Sequence, residues 1–563
     1  MPSILWRVCW IACLTAVALA GVDWGLPSSA ADATLFATRS AWDGKTLAAF
    51  DAERVDATRG ADVDRDPLTK SADPTVLNAT DAARAEIVRR YRLFSHQPDE
   101  MITFMALQQM NPAAGQLDPR LYQYGGAWIY PVGGLLKLAG LAGWVDVRAD
   151  KAFYYDRPEA FGRFYVVARL YTLAAYVLTM TLAAMIAWRL TGSETAAACG
   201  AGVVGALPVV FALAHEAKPH LAGTALILAT ALAGARWVRT GKTRDALLCG
   251  ACAGLAAGMV LSAVLALVIP LSMVFLPRAA PIDRGRDSPS ARVIALLTAL
   301  AAAAFVFAAT NPYVVVHAIY RDPVLASNLG NSRAMYAVGT VSDVLFDGSW
   351  RLLEAMSWPA LALAAGGLLV AVTRRSRTTA LGILLAIPTA LVLLQFFLFA
   401  AGKPSEYARF ALLPATVLGL LGVWALSTIR WAGVQAFVLI TAPLAVGLAG
   451  TWPYVSAFAA DTTGDNTRVS ASAALRVVGG GTLQVNAEPA PYGVPPVDLW
   501  AWQLVLTPPG GPPVGDAIVR AIDDPKALGP VPPGYRRQVI APDRPAPITW
   551  ANKPFELLVR ERP

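Results

Sequence analysis

Three short polar runs in an otherwise apolar chain carry the residue types that could do chemistry. The first is Gln97-Pro98-Asp99-Glu100. An acidic pair at the outer face of a membrane protein can accept a proton or hold a cation beside a lipid-borne substrate. The plainer reading has Asp99 capping a helix that runs to about Met110. The second run, His215-Glu216-Ala217-Lys218-Pro219-His220, puts four titratable groups into six residues between two apolar stretches. Such groups at membrane level are costly unless they face a cavity. Lys218 and one histidine, His215 or His220, suit contact with a phosphate, and Glu216 is a possible second acid. A solvated hairpin turn is the alternative. The third run, Gly402-Lys403-Pro404-Ser405-Glu406-Tyr407-Ala408-Arg409, offers Lys403 and Arg409 to neutralise a lipid phosphate. Arginine in particular matches phosphate with paired donors. Anchoring to lipid headgroups would use the same two residues.

Glycosyl transfer from a lipid phosphate needs a base for the acceptor hydroxyl, cations for the leaving phosphate and an apolar groove for the isoprenoid tail. The elements that would have to position them follow from composition. The chain has 563 residues, 56% hydrophobic and 15% charged, with mean hydropathy +0.48. Soluble domains carry roughly a quarter charged residues, so lipid must solvate much of this chain. Apolar stretches near the ~20 residues that cross a bilayer fall at about 4–21, 163–188, 195–214, 219–238, 245–260, 261–277, 292–310, 351–372, 379–400, 408–427 and 432–451. The run 245–277 is broken near Gly258 and Ser262 and is read as two short spans, with one long tilted helix as the alternative.

The net charge of +8 does not imply nucleic acid. Arg189, Arg236, Arg239, Lys242, Arg244, Arg278, Arg284, Arg286, Arg292, Arg374, Arg375, Arg377 and Arg430 fall in short connections between spans, the positive-inside bias. Placing those connections inside puts the N-terminus in the cytoplasm and the C-terminus outside, and requires an odd number of spans. Residues 125–143 would break that pattern if they crossed. They carry Lys137, Pro131, Tyr124, Trp128 and Tyr130, which suit an interfacial or re-entrant helix on the outer face. Lys403 and Arg409 depart from the charge rule, which sets them apart from the cytoplasmic cations. Arg163 and Arg169 lie in the outer half of one span. Six residues are about 600° of helix, so they do not share a narrow face. Arg163 can snorkel, while Arg169 needs a buried polar or acidic partner.

Domain boundaries follow: a first span at 1–21, an outer loop at 22–162, a membrane bundle at 163–451 and an extracytoplasmic region at 452–563. Residues 1–30 also fit a cleaved secretory signal, with Arg7 before the apolar run and Ser28-Ser29-Ala30 after it. Residues 30–80 show little periodicity and read as loosely ordered. Ala82 to Phe94 reads as a helix capped by Asp81. Residues 311–350 form a second outer loop, opening on Asn311-Pro312-Tyr313 and containing Asn328, Asn331, Arg333 and Tyr336. The region after Trp452 is dense in Pro and Gly, with β-like runs at Leu483–Val485 and Phe555–Val559, so a small β-rich domain is expected. Cys9, Cys13, Cys199, Cys249 and Cys252 all lie in apolar spans, so no outer disulfide framework is available. The Cys249-x-x-Cys252 pair sits in an Ala/Gly-rich helix, where cysteine serves as a small packing residue rather than a redox or metal ligand.

The pattern resembles the GT-C glycosyltransferases, in the phospholipid-carrier-dependent branch that includes protein mannosyltransferases and aminoarabinose transferases. The residues that carry the resemblance are Gln97-Pro98-Asp99-Glu100, Tyr122–Pro131, His215–His220, Asn311-Pro312-Tyr313 and Lys403–Arg409 leading to Leu413-Pro414. It covers roughly residues 85–450. The chain departs from it in a longer insertion before Asp99, and in Leu261-Ser262 where the family often has a lysine. The resemblance implies an α-helical polytopic bundle, here of about eleven spans, with outer-face loops and the small C-terminal β-rich domain. It implies inverting transfer of a sugar from a polyprenyl phosphate to an extracytoplasmic glycan, lipid or protein acceptor. Asp99 would be the base with Glu100 supporting it. Lys218, Lys403 and Arg409 would bind the carrier phosphate, with Tyr124, His215, Glu216 and His220 among the substrate-binding residues. No cofactor is required, and Glu216 leaves room for a divalent metal. Membrane lipids are the expected surroundings, a bacterial-type inner or plasma membrane the expected location, and no nucleic-acid partner is implied. A polytopic transporter or lipid flippase is the alternative. It would place ionisable groups mid-span in matching halves, whereas here they cluster at outer span ends.

Overall fold

A computed structural model describes residues 2–58, 73–277, 288–326, 328, 340–373, 379–508 and 510–561. They form two compact units. One comprises Met1–Ala20, Ile102–Gly133 and Arg169–Trp452, the other Gly21–Met101, Gly134–Ala168 and Pro453–Pro563. Asn331, Arg333 and Tyr336, and the basic Arg278, Arg284, Arg286, Arg374, Arg375 and Arg377, lie outside the described residues.

The first unit is helical. Among the described residues, six helices are long and apolar enough to cross a membrane: Pro158–Thr191, His220–Thr240, Pro289–Thr310, Ala380–Ala400, Ser405–Leu426 and Ala432–Thr463. Two bent pairs raise the number to eight, Glu194–Gly205 with Pro208–Ala214 at 67° and Val341–Met356 with Trp358–Thr373 at 107°. The expected eleven spans therefore meet six to eight helices of spanning length. The first stretch forms Pro2–Leu19, and 245–277 divides into Thr243–Met259, Leu261–Leu267 and Val268–Met273. These pieces fall short of the ~20 residues a bilayer needs. The division occurs at Val260, between the two expected break points, where the backbone is extended at φ −156° and ψ 142°. The expected continuous span at 351–372 is also interrupted. Ser357 takes φ 66° and ψ 158°, a conformation that favours glycine, and Pro359 opens the next helix, where its missing N–H costs nothing. Asn311-Pro312 does not open a loop: helix Pro312–Tyr320 follows directly.

The second unit combines residues far apart in the chain around one sheet. Its strands are β1 (Thr75–Val76), β2 (Gly481–Val485), β3 (Trp502–Leu506), β4 (Ala517–Ala521), β5 (Tyr535–Ile540) and β6 (Phe555–Arg560), in the order β1-β3-β2-β4-β6-β5. β2 runs parallel to β3 and β4, and the other pairs are antiparallel. Leu483, Val485, Leu504 and Leu557 share a core with Leu35, Phe36, Leu47, Val88 and Tyr91. Asn78 stitches the two regions together, donating to the carbonyls of Leu499 (2.9 Å) and Trp502 (2.7 Å) and accepting from the Leu504 amide. Residues 32–58, expected to be loosely ordered, contain helices Asp32–Leu35 and Gly44–Thr58.

Two expected caps shift by one or two positions. Thr80, not Asp81, caps helix Asp81–Leu93, because its hydroxyl accepts the Ala83 amide while Asp81 pairs with Arg84 at 2.7 Å. Gln97, not Asp99, caps the short helical turn Pro98–Glu100, its side-chain oxygen accepting the Asp99 amide at 3.2 Å.

Candidate functional site

The 215–219 connection joins helix Pro208–Ala214 to helix His220–Thr240, and it is not a solvated hairpin turn. His215, Glu216 and Lys218 are buried, and Lys218 Nζ lies 3.2 Å from Glu216 Oε2. Pairing offsets the cost of taking each charge out of water. The ring of His215 faces the Phe211 carbonyl through Nδ1 at 2.9 Å. Burial holds this imidazole below its ordinary value, at about 4, so it is neutral near pH 7. His220, by contrast, is only partly buried. Its ring meets Tyr124 edge-on at 6.1 Å and Phe410 at 6.3 Å.

The 402–411 turn is opened by Gly402 at φ 65° and continues as the helical turn Ser405–Ala411. Its aromatic residues carry its cations. The Arg409 guanidinium lies over the rings of Tyr407 (5.5 Å) and Phe410 (5.1 Å), and Lys403 Nζ lies 5.7 Å from the Tyr407 centroid. Cation–aromatic contacts of this kind hold a positive charge in place without neutralising it.

An open pocket lined by residues of both turns lies between them. His220, Tyr407, Arg409 and Gln395 give it polar groups, while Ile227, Val260, Phe396, Phe399 and Leu412 make most of the wall apolar. Of the residues nominated from sequence, His220 and Arg409 line it. His215, Glu216, Lys218 and Lys403 are not among its lining residues.

Tyr124 reaches His220 through a close backbone fit. It forms an isolated β-bridge with Val260, and the Gly125 amide donates to the Met259 carbonyl at 2.9 Å. A Cβ on Gly125 would sit 1.9 Å from the Gly258 carbonyl oxygen, and one on Gly126 2.1 Å from the Thr310 carbonyl oxygen. Only glycine permits this approach. Asn311 then accepts the Gly126 amide at 2.7 Å, at the start of helix Gly126–Leu141. The Gly-Gly pair, Asn311 and the Val260 break thus serve one purpose, placing Tyr124 beside His220.

The acidic motif belongs to the second unit. Glu100 is fully buried and accepts the Ser95 hydroxyl at 2.5 Å, whereas Asp99 keeps partial exposure. The segment entering the motif is pinned at His96. Its amide donates to the Gly25 carbonyl (2.8 Å), and its Nδ1 lies 2.6 Å from Asp461 Oδ2. Asp461 in turn accepts the Asn552 amide at 3.1 Å and pairs with Arg468 at 3.4 Å. The two carboxylates are therefore unlike: Glu100 faces inward and holds the turn, while Asp99 keeps access to water.

No family model and no curated protein matches the chain. Among solved structures it is similar to ArnT from Cupriavidus metallidurans bound to undecaprenyl phosphate, with 13% identity, TM-score 0.42, and 84% of this chain and 96% of that one covered. The apo state of the same protein gives TM-score 0.41 over the same shares. The chain is also similar to the apo oligosaccharyltransferase of Archaeoglobus fulgidus, with 13% identity, TM-score 0.39, and 81% of this chain and 56% of that one covered.

Sequence reasoning passed over several residues that the structure brings to the pocket or to the motif. Gln395 carried a readable signal, a polar side chain inside an apolar span. The aromatic spacing of Tyr407 and Phe410 around Arg409 was readable as well. The link between His96 and Asp461 was not, because the two lie 365 positions apart. Among the described residues, no group of three or more His, Cys, Asp and Glu side chains is placed to hold a metal ion.

Proposed function

We propose that this protein is a membrane glycosyltransferase that moves a sugar from a polyprenyl-phosphate carrier to an acceptor on the outer face. The observation that carries the reading is the meeting of His220 and Arg409 in one pocket whose remaining wall is largely apolar. A carrier of this class is a phosphate on a long hydrocarbon, and such a pocket offers both halves a partner.

The reaction is inverting. The acceptor hydroxyl loses its proton to the Asp99 carboxylate and its oxygen bonds to the anomeric carbon. On the opposite face the bond from that carbon to the phosphate oxygen breaks, and the electron pair leaves on polyprenyl monophosphate. Arg409 offsets the charge that gathers on the departing phosphate, the term that dominates barriers of this type. His220 supplies a further donor, and Glu100 fixes the turn that presents Asp99. Lys218 and Lys403 act behind this layer, Lys218 by neutralising Glu216 and Lys403 by stacking on Tyr407. The acceptor is a glycan, a lipid or a protein. The protein sits in an inner or plasma membrane of bacterial type, with its N-terminus in the cytoplasm and its C-terminus outside.

The test is transfer in proteoliposomes, followed by release of polyprenyl monophosphate and by mass spectrometry of envelope glycans with and without the gene. Asp99→Asn keeps expression and loses transfer by a factor of about 10² or more, the scale of a lost general base. Full activity in that variant overturns the assignment of the base. Reporter fusions that place residues 215–220 in the cytoplasm overturn the enzyme reading as a whole.

A further inference from the structure

Helix Val341–Met356 combines two features that the pocket alone does not use. One side of it is apolar and exposed: Val341 (77%), Phe346 (73%), Leu345 (58%) and Trp350 (47%). The other side is polar and grips the cationic turn. Asp347 Oδ2 accepts the Gly402 amide at 2.6 Å. Arg351 Nη1 donates to both oxygens of Glu354 (2.8 and 2.7 Å) and to Ser405 Oγ (2.6 Å), and its Nε donates to the Lys403 carbonyl at 3.3 Å. Ser405 is fully buried and donates to Glu354 Oε1 at 3.0 Å. Gly348 lets the helix sit close, since a Cβ there would lie 2.4 Å from the Phe397 ring.

The bend at Ser357 sets the direction of this helix. Trp358–Thr373 is apolar and turns from it by 107°. If the second helix follows the bilayer normal, the first lies close to the membrane plane. A helix in that plane, with Phe, Leu and Trp on one side and acids and arginine on the other, suits the interface between headgroups and acyl chains.

We infer that helix Val341–Met356 is a strap lying in the outer-leaflet interface, and that its Arg351–Glu354 pair positions the turn carrying Arg409 for the carrier phosphate. The inference rests on the donor reading given above. Arg351 and Glu354 touch the turn and not the substrate, so they are positioning residues. Their contacts fix the backbone at Gly402, Lys403 and Ser405, and the Arg409 guanidinium follows within the same helical turn. The occupant of the apolar side is lipid, because the helix that continues from it past Ser357, Trp358–Thr373, is apolar along its length.

The experiment uses the purified full chain in nanodiscs and measures binding of undecaprenyl monophosphate and of undecaprenol. Arg351→Ala weakens binding of the phosphate about tenfold, the scale of one lost charge-assisted contact, and leaves binding of the alcohol unchanged. Arg351→Lys keeps the charge but loses the forked contacts, and it recovers only part of the affinity. Arg409→Ala is the reference. If it weakens phosphate binding while Arg351→Ala and Asp347→Asn, both folded by thermal melting, bind as the parent does, the inference fails and the donor reading stands. If Arg409→Ala also leaves binding unchanged, the donor reading fails with it. A nitroxide at position 346 reports the strap directly. Contact with dissolved oxygen exceeding that with a water-soluble nickel relaxer supports an interfacial helix, and the reverse overturns it.

Discussion

The 215–220 turn and the 402–409 turn hold similar residues and use them in opposite ways. Both place basic and acidic side chains at the ends of membrane helices. In the first, Lys218 and Glu216 turn inward and form an ion pair at 3.2 Å under nearly complete burial. In the second, Arg409 rests on two aromatic faces and borders an open pocket. A paired, buried charge supports structure and has little left for a ligand. A charge held against rings at the border of a pocket is placed to meet an anion there. Charge at a span end is therefore a weak sign of a binding site until its partner is known.

The widest separation between the turns is expected on removing their cations. Lys218→Ala leaves Glu216 buried without its partner and costs about 3–5 kcal/mol of stability, read as lost folded protein in thermal melting. Replacing both residues by apolar ones of similar size, Lys218→Met with Glu216→Leu, restores most of that loss. A single variant that melts like the parent breaks the comparison, because Lys218 would then not be neutralising a buried acid. Arg409→Ala behaves the other way. Melting changes by less than about 1 kcal/mol, while transfer falls by a factor of roughly 10 to 100, the loss of one forked phosphate contact. Equal damage to melting and to transfer would place Arg409 with Lys218 as a structural charge.

Sequence made some of this legible and not the rest, for identifiable reasons. Apolar length located the six helices of spanning length, because the bilayer imposes it, but it counted eleven spans where six to eight helices qualify among the described residues. It did not locate the bends, since those come from single residues such as Ser357 and Val260 whose conformation is set by neighbours. The cationic turns were visible as departures from apolar runs. That Lys218 points inward and Arg409 toward a pocket was not, because both read alike as charges in short polar runs between apolar stretches. The second unit was least legible. Its sheet joins Thr75–Val76 to strands after residue 480, and no local pattern records a pairing across four hundred positions. Gly125 and Gly126 read as a turn signal, whereas their use is close contact with two helix ends.

A third group, half-exposed, sharpens the contrast by sitting between the two extremes. Asp118 accepts the Tyr122 hydroxyl and the Arg120 amide through one oxygen and faces His317 Nε2 with the other at 2.8 Å. On its other side, His317 Nδ1 lies 3.0 Å from Asp322 Oδ2. Partial burial raises the Asp118 carboxyl, but the hydrogen bonds from Tyr122 and His317 outweigh it, and the group is held below its ordinary 3.8. A carboxylate lowered in the folded state stabilises the fold at every pH above its unfolded value. That contribution is complete above about pH 5 and declines as pH falls through 3.8 toward the lower folded value. Its size is that of a partly exposed pair, up to about 1 kcal/mol. The acid limb of a melting curve between pH 5 and pH 3 should therefore be shallower in Asp118→Asn than in the parent. An unchanged slope would mean that water already screens Asp118 as fully as it does an exposed carboxylate, which would set it apart from the buried Glu216–Lys218 pair.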